Sequence, residues 1–189
     1  MARGRASGSK SLRKMKNVGL LVALSVAVVI GYKYLNTKSP EQIEFEQAVA
    51  ESPLEGKVIE FPIEGSEHVP SEAEVVYKTN PPTSGDHLAE AEDWGVYTEE
   101  VSDKMAVHGL EHGGIWISYI NIDESQITIL REIGKENAGS VIVAPRSKND
   151  TNIAIASWGR MMKLESVDKA LIQKYIDTYK NQSPEKLAI

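Results

Sequence analysis

Histidine is the residue type with the clearest chemical potential in this chain, because all four of its histidines fall within residues 68–112. A neutral imidazole is the commonest metal ligand in proteins, so several imidazoles gathered in one place can bind a transition-metal ion. The sequence therefore predicts a metal site built from four side chains, which are His68, His87, His108 and His112.

The spacing of His108 and His112 decides whether they can share an ion. On an α-helix, residues i and i+4 lie on one face with Cβ atoms about 6 Å apart, which is close enough for one metal. On a β-strand the same two residues would lie about 13 Å apart. The metal hypothesis therefore predicts a helix over residues 102–111, although Gly109 inside it costs about 1 kcal/mol relative to Ala.

Other donors in the chain bear on which metal the site would take. Cysteine is absent, which excludes a disulfide framework, thiolate catalysis and a cysteine-based zinc site. Methionine is then the soft donor, and Met105 precedes His108 on the same predicted helical face, so copper is a candidate beside zinc. The candidates for further ligands, or for residues that support the ligands, are Met105, Glu111, Asp86 and Met161.

Residues 108–112 read His-Gly-Leu-Glu-His, which matches the H-x-x-E-H pattern of inverted zinc peptidases. In those enzymes the two histidines bind zinc and the glutamate activates water. A zinc-dependent hydrolase with Glu111 as its catalytic base is therefore one alternative, although Gly113 and Gly114 end the predicted helix early. A second alternative is a metal-free protein-interaction module in which the histidines pack or form hydrogen bonds. The sequence favours a binding protein over an enzyme.

Residues 39–87 are predicted to form one helix, two short strands and a turn. A capping pattern predicts a helix over residues 39–51. Short strands are predicted at residues 57–61 and 75–78. Residues 81–87 (PPTSGDH) have dense turn chemistry and end in His87.

Three later runs of β-branched and apolar residues predict the centre of a sheet, at residues 115–120, 140–144 and 152–158. We expect Arg160 to form an ion pair with an acidic side chain. The tryptophans are expected in the core, and they are Trp94, Trp116 and Trp158.

Two further helices are predicted: the first lies between the strands at residues 115–120 and 140–144, and the second follows the last of these strands. Asp123 opens the first and Gly134 is expected to close it, while Ser166 is expected to cap the last helix. Strands and helices are interspersed without strict alternation. The predicted fold class is therefore α+β, with one mixed β-sheet packed with helices and preceded by a single N-terminal transmembrane helix.

The start of the chain has the pattern of a membrane anchor. Residues 1–17 carry six basic side chains and no acidic one, and residues 18–35 are almost wholly apolar. As a helix, that run spans about 27 Å, close to the thickness of about 30 Å of a hydrocarbon core. A cleaved signal peptide would end in small residues, whereas this run ends in bulky Tyr32 and Tyr34, so an uncleaved anchor is the preferred interpretation.

The basic flank predicts a cytoplasmic N-terminus and a C-terminal domain outside the cell membrane. The predicted divisions are residues 1–17 as a cytoplasmic tail, 18–35 as the anchor, 36–56 as a stalk helix and linker, and 57–189 as an extracytoplasmic domain. Beyond residue 39 the chain has 13 basic and 27 acidic side chains, a formal charge of −14. Such a charge excludes nucleic acid as a partner, and leaves the membrane and another membrane or extracytoplasmic protein.

Six stretches carry motifs that occur together, in this order, in one family. They are residues 68–69 (HV), 81–87 (PPTSGDH), 94–97 (WGVY), 108–114 (HGLEHGG), Val141–Pro145 and 156–160 (ASWGR). Together they resemble the prokaryotic domain-of-unknown-function family 3105 over about residues 57–180. The resemblance implies an N-terminally anchored, externally exposed domain with no settled activity, in which all four histidines occupy motif positions. Asp86 departs from the family pattern, which more often has Pro before this histidine.

Overall fold

The computed structural model describes Ser25, Val28, Tyr32, Lys33 and residues 37–189. The chain divides into two units, Met1–Glu44 and Phe45–Ile189. The predicted cytoplasmic tail lies outside the described residues, and so does the predicted anchor apart from the four isolated residues, which are helical. Among the described residues, no helix is both long enough and apolar enough to cross a membrane.

The second unit is built on one six-stranded sheet. The strands are β1 (Val58–Glu60), β2 (Gly95–Val96), β3 (Ile115–Tyr119), β4 (Val141–Pro145), β5 (Ile153–Ser157) and β6 (Arg160–Leu164), in the spatial order β1-β6-β5-β3-β4-β2. Strand β4 pairs in parallel with β2 and β3, and all other pairs are antiparallel. The prediction of one mixed sheet is confirmed, with β3 near its centre.

Four helices lie within residues 37–189, and they are α1 (Pro40–Glu51), α2 (Asp103–Glu111), α3 (Glu124–Glu136) and α4 (Lys169–Tyr179). The predicted capping pattern of α1 is present, since the N–H of Ser39 donates to Gln42 Oε1 (2.8 Å) and the N–H of Gln42 donates to Ser39 Oγ (3.2 Å). In the second half of α1, Val49 is buried and the Phe45 ring lies 5.4 Å from the ammonium nitrogen of Lys169.

The two faces of the sheet carry two separate cores, because side chains alternate along each strand. Ile115 and Ile117 of β3 face one way and pack with residues of α3 and α4. Trp116 faces the other way and packs with Ala106, Val107 and Leu110 of α2. Helix α2, which carries His108 and ends at its C-cap His112, is therefore the one helix within residues 37–189 that packs on this second face.

Three strands differ from the sequence prediction. The predicted strand at residues 75–78 is wrong: the N–H of Lys78 donates to Glu64 Oε2 (2.8 Å) instead of to a neighbouring strand, and Val76 is 89% exposed. Strand β2 was not predicted, and β6 was not predicted as a separate element. Strand β6 follows β5 through a tight turn at Trp158 and Gly159, where Gly159 has a φ of +68°.

Two helix ends also differ from the prediction. Gly134 does not close α3, which continues to Glu136. A Cβ atom on Gly134 would lie 2.7 Å from Val96 Cγ2, so the glycine lets the helix pack closely on the sheet. The last helix is capped by Asp168 and not by Ser166, since the Asp168 carboxylate accepts from the N–H of Leu171 (2.9 Å).

Candidate metal centre

A backbone bridge places His68 beside His87. The N–H of Val69 donates to the His87 carbonyl (2.8 Å), and the N–H of His87 donates to the Glu67 carbonyl (3.0 Å). The two imidazole centroids are consequently 5.1 Å apart. His68 is exposed and His87 is fully buried, so this pair leads from the surface into the interior.

The proline-rich turn before His87 is held by hydrogen bonds from Tyr77 and Glu67. The hydroxyl of Tyr77 donates to the Asp86 carbonyl (2.8 Å), and Asp86 Oδ1 accepts from the N–H of Glu67 (3.1 Å). The carboxylate of Asp86, which the sequence offered as a possible participant, is thus engaged in fixing the loop that carries His68.

Helix α2 and its C-cap residue bring the other two histidines to the same place, since the N–H of His112 continues the helical pattern by donating to the His108 carbonyl (3.1 Å). The Nε2 atoms of His108 and His112 lie 3.0 Å apart, as one helical turn allows. The helical geometry required by the sequence hypothesis is therefore confirmed. The His108 ring centroid lies 4.8 Å from that of His87 and 4.9 Å from that of His68, so the loop histidines and the helix histidines meet.

The start of α2 is fixed to the sheet by a partly buried ion pair. Arg146, at the end of β4, donates from Nε and Nη2 to the two carboxylate oxygens of Asp103 (2.8 and 3.0 Å). The guanidinium also lies 5.6 Å from the centroid of the Trp116 ring. These contacts fix the position of α2, which carries His108, against the sheet.

Four side chains form a group that could hold a metal ion, and they are His68, His87, His108 and Glu111. One ligand atom of each lies within 4.8 Å of the others. Bonds of about 2.0–2.1 Å place tetrahedral ligand atoms about 3.4 Å apart, so small side-chain rotations would close this group on one ion. Three imidazoles with one carboxylate are donors that suit zinc or divalent copper.

The tautomer of His87 follows from its hydrogen bond. Its Nδ1 atom lies 2.8 Å from the carbonyl oxygen of Gly85, and a carbonyl can only accept, so Nδ1 carries the proton. In the neutral ring, Nε2 then has a lone pair. That atom lies 3.2 Å from Glu111 Oε2, yet it is buried and has no hydrogen-bond partner, because the contact does not have hydrogen-bond geometry. Two buried acceptors facing one another are an arrangement that a cation stabilises.

Burial favours the neutral form of His108. Desolvation lowers the pKa of His108 below its usual range, and the neighbouring His112, His87 and His68 lower it further. The backbone of Leu88 opposes this shift, although no hydrogen bond of ordinary geometry reaches the buried Nδ1 atom of His108. A neutral imidazole is the form that binds a metal.

His112 lies next to the four-residue group without belonging to it. Its Nε2 atom is 3.0 Å from His108 Nε2 on one side and 3.1 Å from Glu185 Oε2 on the other. Glu185 comes from the C-terminal segment, and the sequence analysis missed it because nothing in the pattern of residues 181–189 indicates a return to α2. Glu111, which the sequence offered as a supporting residue or a catalytic base, takes the fourth place in the group.

The two methionines have different positions relative to this group. Met105 is half-buried and lies one helical turn before His108 on α2. Met161 is buried in β6 opposite Ala156 of β5, and so shares the sheet face on which α2 packs. Arg160 forms the expected ion pair, with Glu60 Oε1 at 3.0 Å from its Nε atom.

The structure thus defines an α+β domain in which one helix and two loops bring histidines and a carboxylate together on one face of a mixed sheet. A family model described as a protein of unknown function, DUF3105, matches residues 68–189, and the chain belongs to that family. Comparison with curated proteins and with solved structures gives no match. The family match covers every histidine and ends with the chain, so it includes the C-terminal segment that carries Glu185.

Proposed function

We propose that this domain binds one transition-metal ion through His68, His87, His108 and Glu111. The observation that carries the proposal is the buried contact between His87 and Glu111, in which a bare imidazole nitrogen faces a carboxylate oxygen at 3.2 Å. A buried polar atom without a partner is costly, and a cation bound between these two groups removes that cost.

The donor set limits the metal to a few ions. Three neutral imidazoles and a carboxylate are borderline ligands, which favour zinc or copper over calcium or magnesium. The formal charge of −14 beyond residue 39 attracts cations to the domain. Because His68 is exposed, one side of the group stays open to solvent, and a small ligand can reach an ion held there.

We further propose that residues 18–35 anchor the chain in the cell membrane, with the basic N-terminus in the cytoplasm and the metal-binding domain outside. The apolar run and its basic flank support this arrangement. The partner most consistent with it is another membrane or extracytoplasmic protein, to which the domain presents its metal site. The acidic charge argues against nucleic acid.

A zinc-dependent hydrolase is the second candidate, and the position of Glu111 favours it. A glutamate within the same group as His87 and His108 could act on a metal-bound water molecule. The two functions differ in what Glu111 does. As a ligand, Glu111 is needed for the chain to bind the metal. As a catalytic base, it is needed only for turnover.

Elemental analysis of the full chain tests the metal proposal. The chain is purified in detergent without a histidine tag, stripped with a chelator, reloaded with zinc or copper and desalted. We expect about one ion per chain in the parent. His87→Ala and His108→Ala should lose the ion, while Gln47→Ala, which alters an exposed polar residue of α1, should keep it. A parent that keeps no metal after reloading would overturn the proposal and leave a metal-free interaction module.

A further inference from the structure

A second pair of donor atoms, on His112 and Glu185, adjoins the proposed metal group at His108. The Nε2 atom of His112 contacts both His108 Nε2 (3.0 Å) and Glu185 Oε2 (3.1 Å). His108 therefore belongs to the proposed metal group and also contacts this outer pair. The inference drawn from this arrangement rests on the proposed function, since it concerns how an ion reaches that group.

The C-terminal segment is attached to the end of the ligand helix by several backbone hydrogen bonds. The N–H of Glu185 donates to the Glu111 carbonyl (3.1 Å), and the N–H of Leu187 donates to the His112 carbonyl (2.9 Å). The N–H of Asn181 donates to the Gly113 carbonyl (2.9 Å). These bonds satisfy carbonyls that a helix end leaves free, and they place Glu185 at a defined position beside His112.

Exposure increases in steps from His87, in the inner group of proposed ligands (His68, His87, His108 and Glu111), to the outer pair (His112 and Glu185), while His68 gives the inner group a second exposed side. The side chain of His87 is fully buried, that of His112 is 24% exposed and that of Glu185 is 52% exposed. A hydrated ion that approaches on the side of the outer pair would thus meet the Glu185 carboxylate and the His112 imidazole before it meets His87. Hydrated divalent ions exchange their water for protein ligands stepwise, and a carboxylate and an imidazole are ligands that zinc and copper accept.

We propose that His112 and Glu185 form a transient outer position through which a divalent transition-metal ion enters and leaves the inner group. The ion passes from the outer pair to the inner ligands by exchanging ligands at His108, which touches both. Substitution of a residue on such a route changes the rates of metal capture and metal release together. It has little effect on the affinity, because the two end states are the same with or without it.

Stopped-flow fluorescence of the full chain in detergent tests this route. Divalent copper, supplied as a weak glycine complex, is mixed with the metal-free chain, and release is started with excess chelator. Copper quenches nearby tryptophans, and the Trp158 ring centroid lies 6.4 Å from that of His87. In Glu185→Gln we expect capture and release each to slow by about tenfold, with the dissociation constant changed by less than about threefold.

The matched control is Glu132→Gln, which removes the same charge from an exposed position of α3, on the other face of the sheet. It should leave both rates unchanged. Unchanged rates in Glu185→Gln would overturn the route, and so would weaker binding with unchanged capture, because that result makes Glu185 part of the final site. A parent chain that binds no copper at all would instead contradict the proposed function.

His112→Ala provides an independent variant of the same route. It keeps the C-terminal segment, whose hydrogen bonds to residue 112 use the backbone carbonyl. We expect it to slow capture and release at least as much as Glu185→Gln does. Capture as fast as in the parent would contradict the role of the outer pair.

Discussion

The Nε2 atom of His87 lies 3.2 Å from the Oε2 atom of Glu111, a contact that no hydrogen bond of ordinary geometry spans. The proton of His87 is on the opposite nitrogen, bonded to the Gly85 carbonyl. The loop that carries His87 therefore fixes which nitrogen faces the helix. This relationship is the basis for the first prediction.

Glu111→Gln should weaken metal binding by about 10- to 100-fold, because an amide oxygen is a poorer ligand than a carboxylate and carries no charge. The dissociation constant is measured by competition with a chromophoric chelator, with Glu132→Gln as the charge-matched control. If the affinity is unchanged and a hydrolytic activity of the parent is lost, Glu111 is a catalytic base and the zinc hydrolase is the better interpretation.

Metal should stabilise the folded chain. A ligand that binds only the folded state adds about 2.7 kcal/mol at a free concentration 100 times its dissociation constant. We expect zinc or copper to raise the Tm of the parent, measured by circular dichroism against a chelator-treated sample, and to leave the Tm of His108→Ala unchanged. An equal rise in His108→Ala would place the bound ion elsewhere. A metal-free module predicts no rise in either chain and a lower Tm for the variant.

The two glycines that flank the end of α2 should respond in opposite directions to alanine. A Cβ atom at Gly109 would lie 3.4 Å from Ile142 Cδ1 and from Trp94 Cζ3, which is a van der Waals contact. Gly109→Ala should therefore be neutral or stabilise the chain by up to about 1 kcal/mol through helix propensity. A Cβ atom at Gly114 would lie 1.9 Å from Trp94 Cζ3, and Gly114→Ala should cost about 1–3 kcal/mol.

Urea unfolding followed by circular dichroism measures both glycine variants under one set of conditions. The prediction concerns the sign of the difference between them, so each serves as the control for the other. A Gly114→Ala chain as stable as the parent would mean that Trp94 moves without cost.

The ion pair that holds the start of α2 should contribute strongly to stability. Arg146→Ala leaves the Asp103 carboxylate without its bidentate partner, and we expect a loss of about 2–4 kcal/mol in the free energy of unfolding. The loss in Arg146→Lys should be smaller than in Arg146→Ala but larger than zero, because one ammonium cannot reproduce the two parallel bonds of the guanidinium. The control is Arg131→Ala, which breaks an exposed pair with Glu124 and should cost less than about 1 kcal/mol. Equal losses in the two alanine variants would contradict this account.

Several parts of the fold could be predicted because they depend on short-range patterns. The capping residues of α1 and α3 were identified from the sequence, since a cap involves residues only three positions apart. The strand predicted at residues 75–78 failed for the opposite reason. A strand exists only if a partner strand lies beside it, and the N–H of Lys78 is bonded to the side chain of Glu64.

The sequence by itself determined that four histidines lie close together along the chain and that His108 and His112 can meet, because the period of a helix sets that distance. The tertiary structure decided which groups meet them. His87 faces Glu111 because the loop that carries His87 packs beside α2, and Glu185 reaches His112 because the last residues of the chain return to the end of α2. Both contacts join segments that no local period relates, so only packing of the whole domain brings their atoms together.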